Sequence, residues 1–189
     1  MTRRVLMMGG LAMVAAGCVP TVRAARAPAA RTFTLNPQFR RQHVRYDGGH
    51  EPGTIVVDTS TRFLYYVEPD GWATRYGVGV GEEGLSLKGA ATVGRKAVWP
   101  SWTPTANMMR RKPRLLQYAG GVPGGPDNPL GARALYLYRG GRDTMFRMHG
   151  TNEPWTIGTA VSSGCIRLLN EDVIHLYERT PVGTPVLVV

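Results

Sequence analysis

Cysteine is scarce in this sequence: its 189 residues include only Cys18 and Cys165. Two cysteines so far apart do not form the closely spaced pairs that ligate zinc in zinc fingers. We also find no combination of aromatic and basic residues typical of RNA-binding modules, and no basic region followed by heptads. These absences disfavour a nucleic-acid-binding protein, although the formal net charge is +10.

Charged residues are also fewer than usual, at 19% of the chain against about a quarter in typical domains. Hydrophobic residues make up 43%, enough for one domain with a substantial core. The 24 glycines and 14 prolines favour short strands and loops over long helices. The basic excess suits nucleic acid, anionic lipid, an acidic polymer or simple solubility, and charge alone does not choose among them.

Long hydrophobic runs are missing too. The apolar run at residues 5–16 is too short to span a bilayer as a stable helix. It follows two arginines, so residues 1–17 are predicted to be an export signal, with a loose match to a twin-arginine signal. Cys18 sits where a bacterial lipoprotein is processed and lipidated, and cleavage after Ala24 or Ala25 is the alternative. We expect an exported protein of the periplasm or cell envelope, with Cys18 as the candidate lipid anchor.

Cys165 is left without a disulfide partner if Cys18 is lipidated or removed. A lone thiol in an oxidising compartment is liable to oxidation, which favours a functional role over a structural one. The alternative is a cysteine that serves as a small buried hydrophobe. A thiol attacks a carbonyl as thiolate, and with an ordinary pKa of about 8.5 it needs a base nearby. His149 lies sixteen positions upstream and is the candidate base.

Two predicted strands would bring this pair together. Residues 144–149 alternate in the manner of a strand, and residues 165–168 form a second short one. Gly164 permits a close approach of substrate and backbone angles closed to other residues. Successive N–H groups around Ser163, Gly164 and Cys165 could then face a developing oxyanion.

These residues resemble the catalytic motif of the L,D-transpeptidase family (YkuD-type, ErfK/YbiS-like). The resemblance rests on His149-Gly150-Thr151 and on Ser162-Ser163-Gly164-Cys165-Ile166-Arg167, and it covers roughly residues 53–189. Ser163 departs from the family pattern, which often has histidine at that position. If His149 is the base, serine is a tolerable replacement beside the oxyanion.

The resemblance implies a mainly β fold: an L,D-transpeptidase-type, β-sandwich-like mixed sheet with one or two short helices. It also implies a cysteine acyltransferase that acts on peptidoglycan stem tetrapeptides, releases D-Ala and passes the acyl group to an amine. That amine belongs to another stem peptide or to a lysine of an envelope protein. Such an enzyme serves cell-wall organisation and cell shape, and it needs no metal or cofactor.

The same resemblance suggests roles for single residues. Cys165 is the nucleophile and His149 the general base and acid, with the carbonyl of Gly150 orienting the histidine. Gly164 and Ser163 support the oxyanion. Arg167 favours the thiolate or holds a substrate carboxylate, and the alternative for it is a structural ion pair with Asp172 or Glu171.

Two other functions stay open at this stage. With water in place of the amine, the protein is an L,D-carboxypeptidase. A non-catalytic wall-binding lipoprotein is the alternative outside the enzymes, and Ser163 in place of histidine is the one hint toward it.

The remaining chain divides into a tether or arm at residues 18–52 and a catalytic domain at residues 53–189. Within the domain we predict an opening meander, a short helix that forms a lid or a wall of the groove, a binding loop, a hairpin that delivers His149, a helix and a final strand. The strands of the meander are at residues 54–58, 62–68 and 72–80, the short helix is at 105–112 and the binding loop at 120–131. The hairpin is at 134–149, the second helix at 170–179 and the final strand at 181–189. Trp99 and Trp102 are expected in the core or at the substrate. Arg133 is expected to face solvent, with a substrate carboxylate as the alternative, and His175 is expected on the exposed face of its helix.

Overall fold

The computed structural model describes residues 33–82, 85 and 87–189. The predicted export signal and Cys18 therefore lie outside the described residues. None of the helices in the described part of the chain is both long and apolar enough to cross a membrane.

Short strands form most of the regular structure, as the many turn-forming residues suggested. The strands are β1 (Gln42–Arg45), β2 (Ile55–Asp58), β3 (Phe63–Glu68), β4 (Trp72–Gly77), β5 (Val80–Gly81), β6 (Gly89–Val98), β7 (Arg133–Arg139), β8 (Arg142–His149), β9 (Ala160–Ser162), β10 (Ile166–Arg167) and β11 (Pro185–Val188). The helices are α1 (Ala106–Arg111) and α2 (Asn170–Arg179), and 3-10 turns occupy Pro37–Phe39, Pro69–Gly71, Pro113–Tyr118 and Pro154–Thr156.

Nine of these strands form one sheet in the order β1-β4-β3-β2-β11-β6-β7-β8-β10, and β5 pairs with β9. Strands joined by tight turns are antiparallel, as in the β2-β3-β4 meander. The pairs β2–β11 and β8–β10 are parallel, which the long connections between their members permit. The predicted mainly β fold with a mixed sheet and short helices is confirmed.

The β10 edge of this sheet meets the chain that follows β4 at one bridge. Gly79, just past β4, exchanges two backbone hydrogen bonds with Arg167 of β10, at 2.9 and 2.8 Å. A side chain on residue 79 would not fit, because its Cβ would lie 2.6 Å from the carbonyl oxygen of Thr156. The sheet therefore curls so that β10 is held from both sides, by β8 and by Gly79.

The core lies between this curled sheet and α2. Leu135, Leu137 and Met148 of β7 and β8 are fully buried, and so are Val173 and Leu176 of α2. Their spacing puts them on the inner face of each strand or helix. The core thus anchors the strand that carries His149.

The arm differs from the prediction. Residues 42–45, assigned to a tether by their lack of periodicity, form the edge strand β1 and pair with β4. His43 stacks on Trp72 with ring centroids 4.5 Å apart, and it lies 2.8 Å from a carboxylate oxygen of Glu68. Backbone pairing with β4 and these cross-strand contacts hold the segment in place. Contacts with distant residues cannot be recognised from a stretch of four residues, so the sequence did not predict this strand.

Other local predictions were wrong in detail. The strand expected at residues 72–80 is broken into β4 and β5. Asn170, a residue type that often caps helices, does not cap α2; its side chain accepts the N–H of Ala132 instead, at 2.9 Å. His175 is not a free surface residue, because its Nδ1 lies 2.8 Å from the hydroxyl of the buried Tyr76.

Candidate active site

The parallel pairing of β8 and β10 brings the candidate histidine and cysteine to neighbouring strands. His149 is the last residue of β8 and lies opposite Arg167, while Met148 lies opposite Ile166. One step back in the same register, Cys165 lies level with Arg147. Because side chains alternate along a strand, Arg147 and His149 share one face with Cys165 and Arg167.

The orientation of His149 is fixed by its neighbour. Its Nδ1 lies 2.6 Å from the carbonyl oxygen of Gly150, which can only accept a hydrogen bond, so Nδ1 carries the proton. Nε2 is then the nitrogen with the free lone pair. Glycine suits residue 150 because a Cβ there would collide with Oδ1 of Asn170, and it would lie 3.0 Å from the backbone nitrogen of Ala132.

Burial keeps both reacting groups neutral. Burial lowers the pKa of His149 to about 3. The positive charges of Arg167 and Arg147 lower this pKa further, whereas the hydrogen bond with the Gly150 carbonyl raises it. Burial likewise raises the pKa of the Cys165 thiol, although the Arg147 backbone N–H and the same two charges oppose the shift. At rest both groups are therefore neutral, a thiol at Cys165 and an imidazole at His149.

Ser162, a motif residue with no separate role assigned in the sequence analysis, shapes the loop before Cys165. The buried hydroxyl of Ser162 accepts the N–H of Gly164 at 3.1 Å and donates to the carbonyl of Cys165 at 2.6 Å. Serine in this position typically forms such local turns. The N–H of Gly164 is thus engaged inside the loop, whereas those of Ser163 and Cys165 make no backbone hydrogen bond within the described residues.

Gly164 itself adopts a conformation that excludes other residues. Its φ is +124°, in the region favoured by glycine. A Cβ would lie 2.5 Å from the carbonyl oxygen of Leu85 and 2.6 Å from the Phe146 ring. The backbone at the nucleophile is therefore packed from both sides.

Arg167 does not form the ion pair with Asp172 or Glu171 that was the alternative to an active-site role. Its Nη1 donates to a carboxylate oxygen of Glu153 at 2.7 Å and to the hydroxyl of Thr156 at 3.3 Å. Asp172 instead faces Arg41 at 3.4 Å. Arg167 keeps 18% of its side chain exposed, so it combines a structural ion pair with access to the groove.

Arg147 is a second arginine at this site, and the sequence analysis did not identify it. It forms a two-pronged ion pair with Asp143, at 2.9 and 3.0 Å, and stacks on Tyr136 with the guanidinium carbon 4.5 Å from the ring centroid. Its position two residues before His149 on a strand is the signal that places it on the same face.

A cavity of about 760 Å³ opens beside these residues. Ser163 and Arg167 line this cavity. So do Lys112 and Tyr118, which follow α1, and Val122 and Asp127 of the 120–131 loop. The short helix predicted as a lid or a wall thus forms part of the wall of the cavity. Lys112, which follows the helix, forms an ion pair of 2.8 Å with Glu82.

Two tryptophans, Trp102 and Trp155, line this cavity, whereas the exposed Trp99 does not. Arg133 is also outside it, and its Nη1 donates to the carbonyl of Ala132. Within the described residues, no cluster of three or more His, Cys, Asp or Glu side chains could hold a metal ion.

Comparison with known families identifies this arrangement. The model of the L,D-transpeptidase catalytic domain matches residues 52–188. The chain belongs to the L,D-transpeptidase family. The resemblance carried by the His149 and Cys165 motifs is confirmed, and the match begins after the β1 arm.

Two curated relatives of this L,D-transpeptidase family member differ in length. Escherichia coli (strain K12) ErfK/SrfK, described as a probable L,D-transpeptidase, is 40% identical over 71% of this chain but only 43% of its own length. A Fuscovulum blasticum protein from the ATP synthase subunits region, provisionally named an L,D-transpeptidase, is 34% identical over 100% of this chain and 98% of its own. The chain thus spans less than half of the first relative and nearly all of the second.

One solved structure is also similar. A Brucella melitensis protein, described as a probable carnitine operon oxidoreductase, is 50% identical with a TM-score of 0.55. The similarity covers 79% of this chain and 93% of that one. Its description concerns the Brucella protein alone.

Proposed function

We propose that this protein is a peptidoglycan L,D-transpeptidase with Cys165 as nucleophile and His149 as general base and acid. The observation that carries the proposal is the parallel β8–β10 pairing, in which Arg167 lies opposite His149. The same register, continued to the residue just before β10, sets Cys165 level with Arg147, two residues before His149. The Gly150 carbonyl leaves Nε2 of His149 free to accept the thiol proton. The donor substrate is a stem tetrapeptide that enters through the cavity beside Ser163 and Arg167.

The first half-reaction forms a thioester. Sγ of Cys165 attacks the carbonyl at the L-centre of the tetrapeptide while His149 Nε2 takes the thiol proton. The N–H groups of Cys165 and Ser163 hold the oxyanion, and Ser162 and Gly164 keep the loop in shape. The tetrahedral intermediate collapses when His149 returns the proton to the departing amine of D-Ala.

The second half-reaction releases the product. An amine of another stem peptide, or a lysine of an envelope protein, attacks the thioester carbonyl. His149 takes a proton from that amine and returns it to the sulfur of Cys165 as the new amide forms. The positive charge of Arg167 stabilises the sulfur anion during both steps.

The test is mass spectrometry of the purified protein after incubation with a carbapenem. We expect an adduct on Cys165 that is absent in Cys165→Ala and forms much more slowly in His149→Ala. The matched control is His175→Ala, which removes a histidine outside the site and should leave the rate unchanged. No adduct on reduced, folded protein would contradict the proposal and favour wall binding without catalysis.

Stem tetrapeptides then distinguish transfer from hydrolysis. With an acceptor amine present, we expect cross-linked product together with free D-Ala. Release of D-Ala with tripeptide as the sole product would make the protein an L,D-carboxypeptidase instead.

We further propose that the protein is exported to the cell envelope and anchored there by a lipid on Cys18. The supporting observation is the sequence of residues 1–18, with its basic start and short apolar run. Labelling of growing cells with an alkyne fatty acid should tag the wild-type protein and not Cys18→Ser. An unlabelled, freely released wild-type protein would contradict the anchor.

A further inference from the structure

Phe39 lies in the arm, upstream of the residues that match the family domain. It ends the Pro37–Phe39 turn, where its N–H donates to the carbonyl of Asn36 at 2.9 Å. The arm then continues into β1, whose pairing with β4 fixes it on the other side. Phe39 is thus held in place by backbone hydrogen bonds before and after it.

Two glycines face Phe39 and leave room for it. At Gly77, the end of β4, a Cβ would lie 2.5 Å from Cβ of Phe39. At Gly158, a Cβ would lie 2.6 Å from Cζ of the ring. Such distances are shorter than van der Waals contact, so the ring fills the space between β4 and the segment that contains Gly158.

Gly158 belongs to the loop formed by residues 153–159 (the 153–159 loop). The loop is attached to the chain after β4 by two backbone hydrogen bonds, from Gly158 to Val78 and from Val80 to Thr159, both 3.0 Å long. It also carries the two acceptors of the Arg167 guanidinium, Glu153 and Thr156. A contact that fixes the loop therefore fixes the partners of an active-site arginine.

The Arg167–Glu153 pair is partly exposed to solvent. Glu153 keeps 44% of its side chain exposed, and exposed ion pairs by themselves contribute little to holding a geometry. Arg167 in turn acts on the reacting groups, because its charge lowers the pKa of both His149 and Cys165. Movement of the loop would change the field at the nucleophile and the shape of the cavity wall.

We propose that Phe39 is a positioning residue of the active site: its ring holds the 153–159 loop, and through Glu153 and Thr156 it fixes Arg167 beside Cys165 and His149. The inference rests on the proposed function for its catalytic consequence. It makes the arm, which lies outside the family match at residues 52–188, part of the enzyme's working site.

The experiment compares Phe39→Ala, Phe39→Leu and the control Val44→Ala in the full chain. We expect Phe39→Ala to slow carbapenem acylation of Cys165 on the order of tenfold, since small displacements remote from the chemistry have effects of this size. Phe39→Leu, which still fills much of the space, should restore most of the rate. Val44→Ala weakens β1 without touching the loop, so it should lower the melting temperature and leave the rate unchanged.

Equal rates in Phe39→Ala and wild type would overturn the inference, as would an equal loss of rate in Val44→Ala. Gly158→Ala tests the same contact from the loop side if Phe39→Ala does not fold. It should slow acylation, whereas Gly183→Ala, also at positive φ but with open space around it, should not. A wild-type rate in Gly158→Ala would overturn the inference too.

Hydrogen exchange gives a readout that does not depend on activity. In Phe39→Ala, the amides of Gly158 and Val80 should exchange at least tenfold faster, while those of β7 stay protected. Unchanged exchange at both positions would overturn the loop contact. If the wild type is not acylated at all, the proposed function fails while this measurement still tests the loop.

Discussion

His149 and Cys165 are both neutral in the resting protein, and burial is the main cause. It lowers the pKa of the imidazole to about 3 and raises the pKa of the thiol. An ion pair of thiolate and imidazolium is therefore not formed in advance. In the proposed mechanism the proton therefore moves to His149 as the sulfur attacks. A neutral thiol is also less prone to oxidation than a thiolate.

The acylation rate should hold down to acidic pH for this reason. Neutral His149 is the active form, and with a pKa of about 3 it persists at pH 5. A histidine with the ordinary pKa of about 6.5 would lose about 30-fold between neutral pH and pH 5. The measurement is the rate of carbapenem acylation from pH 4 to pH 8, corrected for hydrolysis of the drug.

Arg167→Gln provides the companion variant. Removal of its positive charge should raise the pKa of His149 and move the acid limb of the rate profile upward. An acid limb near pH 6.5 in the wild type would contradict the neutral, buried pair.

At the scale of secondary-structure elements, the turn between β9 and β10 sets the position of the nucleophile. Gly164 lies at its tightest point, packed against Leu85 and Phe146, and Ser162 joins its two sides. β10 has only two residues, yet it is held by β8 on one side and by Gly79 on the other. A two-residue strand can carry the active site because both of its edges are paired.

Gly164→Ala should abolish acylation of Cys165. The added methyl group would meet the Leu85 carbonyl and the Phe146 ring at 2.5 and 2.6 Å, and a φ of +124° is strained for alanine. The control is Gly183→Ala at φ +97°, where nothing lies within 4 Å.

The control carries the backbone strain without the collisions. It should lose roughly 1 kcal/mol of stability and keep the wild-type rate of acylation, measured by mass spectrometry alongside the melting temperature. Acylation of Gly164→Ala at the wild-type rate would mean that the turn can move freely, contrary to its packing.

At the scale of the whole molecule, the arm, α2 and the sheet meet at a buried carboxyl group. Asp172 is 2% exposed, and burial raises its pKa to about 6, against the opposing charge of Arg41 from the arm; Glu171 adds to the rise. In the unfolded chain the same group titrates near 4. At a pH between these two pKa values, folding is therefore coupled to the uptake of a proton by Asp172. The contribution of protonated Asp172 to stability is lost as the pH rises through 6.

Asp172→Asn should remove this dependence, because the amide is neutral at every pH. Relative to the wild type, the free energy of unfolding of Asp172→Asn should fall by up to roughly 3 kcal/mol as the pH is lowered from 7.5 to 4. The effect of His149 is common to both proteins and cancels. Urea denaturation at several pH values measures the difference.

Asp58→Asn gives a contrast of opposite sign. Although its partial burial acts to raise the pKa of Asp58, hydrogen bonds from Ser60 and Thr61 hold it below the ordinary value. The contribution of Asp58 to stability is lost as the pH falls. The free energy of unfolding of Asp58→Asn should therefore rise relative to that of the wild type at acidic pH. A shift of the same sign in both variants would contradict the assigned environments.

The sequence by itself determined the local structure and the reacting pair. Alternating apolar residues and turn residues such as Pro69, Asp70 and Gly71 predicted the meander, and α2 was predicted at residues 170–179, as observed. The motif around His149 and Cys165 predicted the family. Such features depend on neighbours within a few residues, so they leave a pattern that can be read along the chain.

Only the tertiary structure decided what surrounds that pair. The pairing of β1 with β4, the partner of Arg167, the place of Arg147 and the contact of Phe39 with Gly158 all join residues distant in sequence. No local periodicity records such contacts, because each requires two segments to meet in a particular register. The bridge between Gly79 and Arg167 is another contact of this kind, and it pairs the free edge of β10 beside the candidate site.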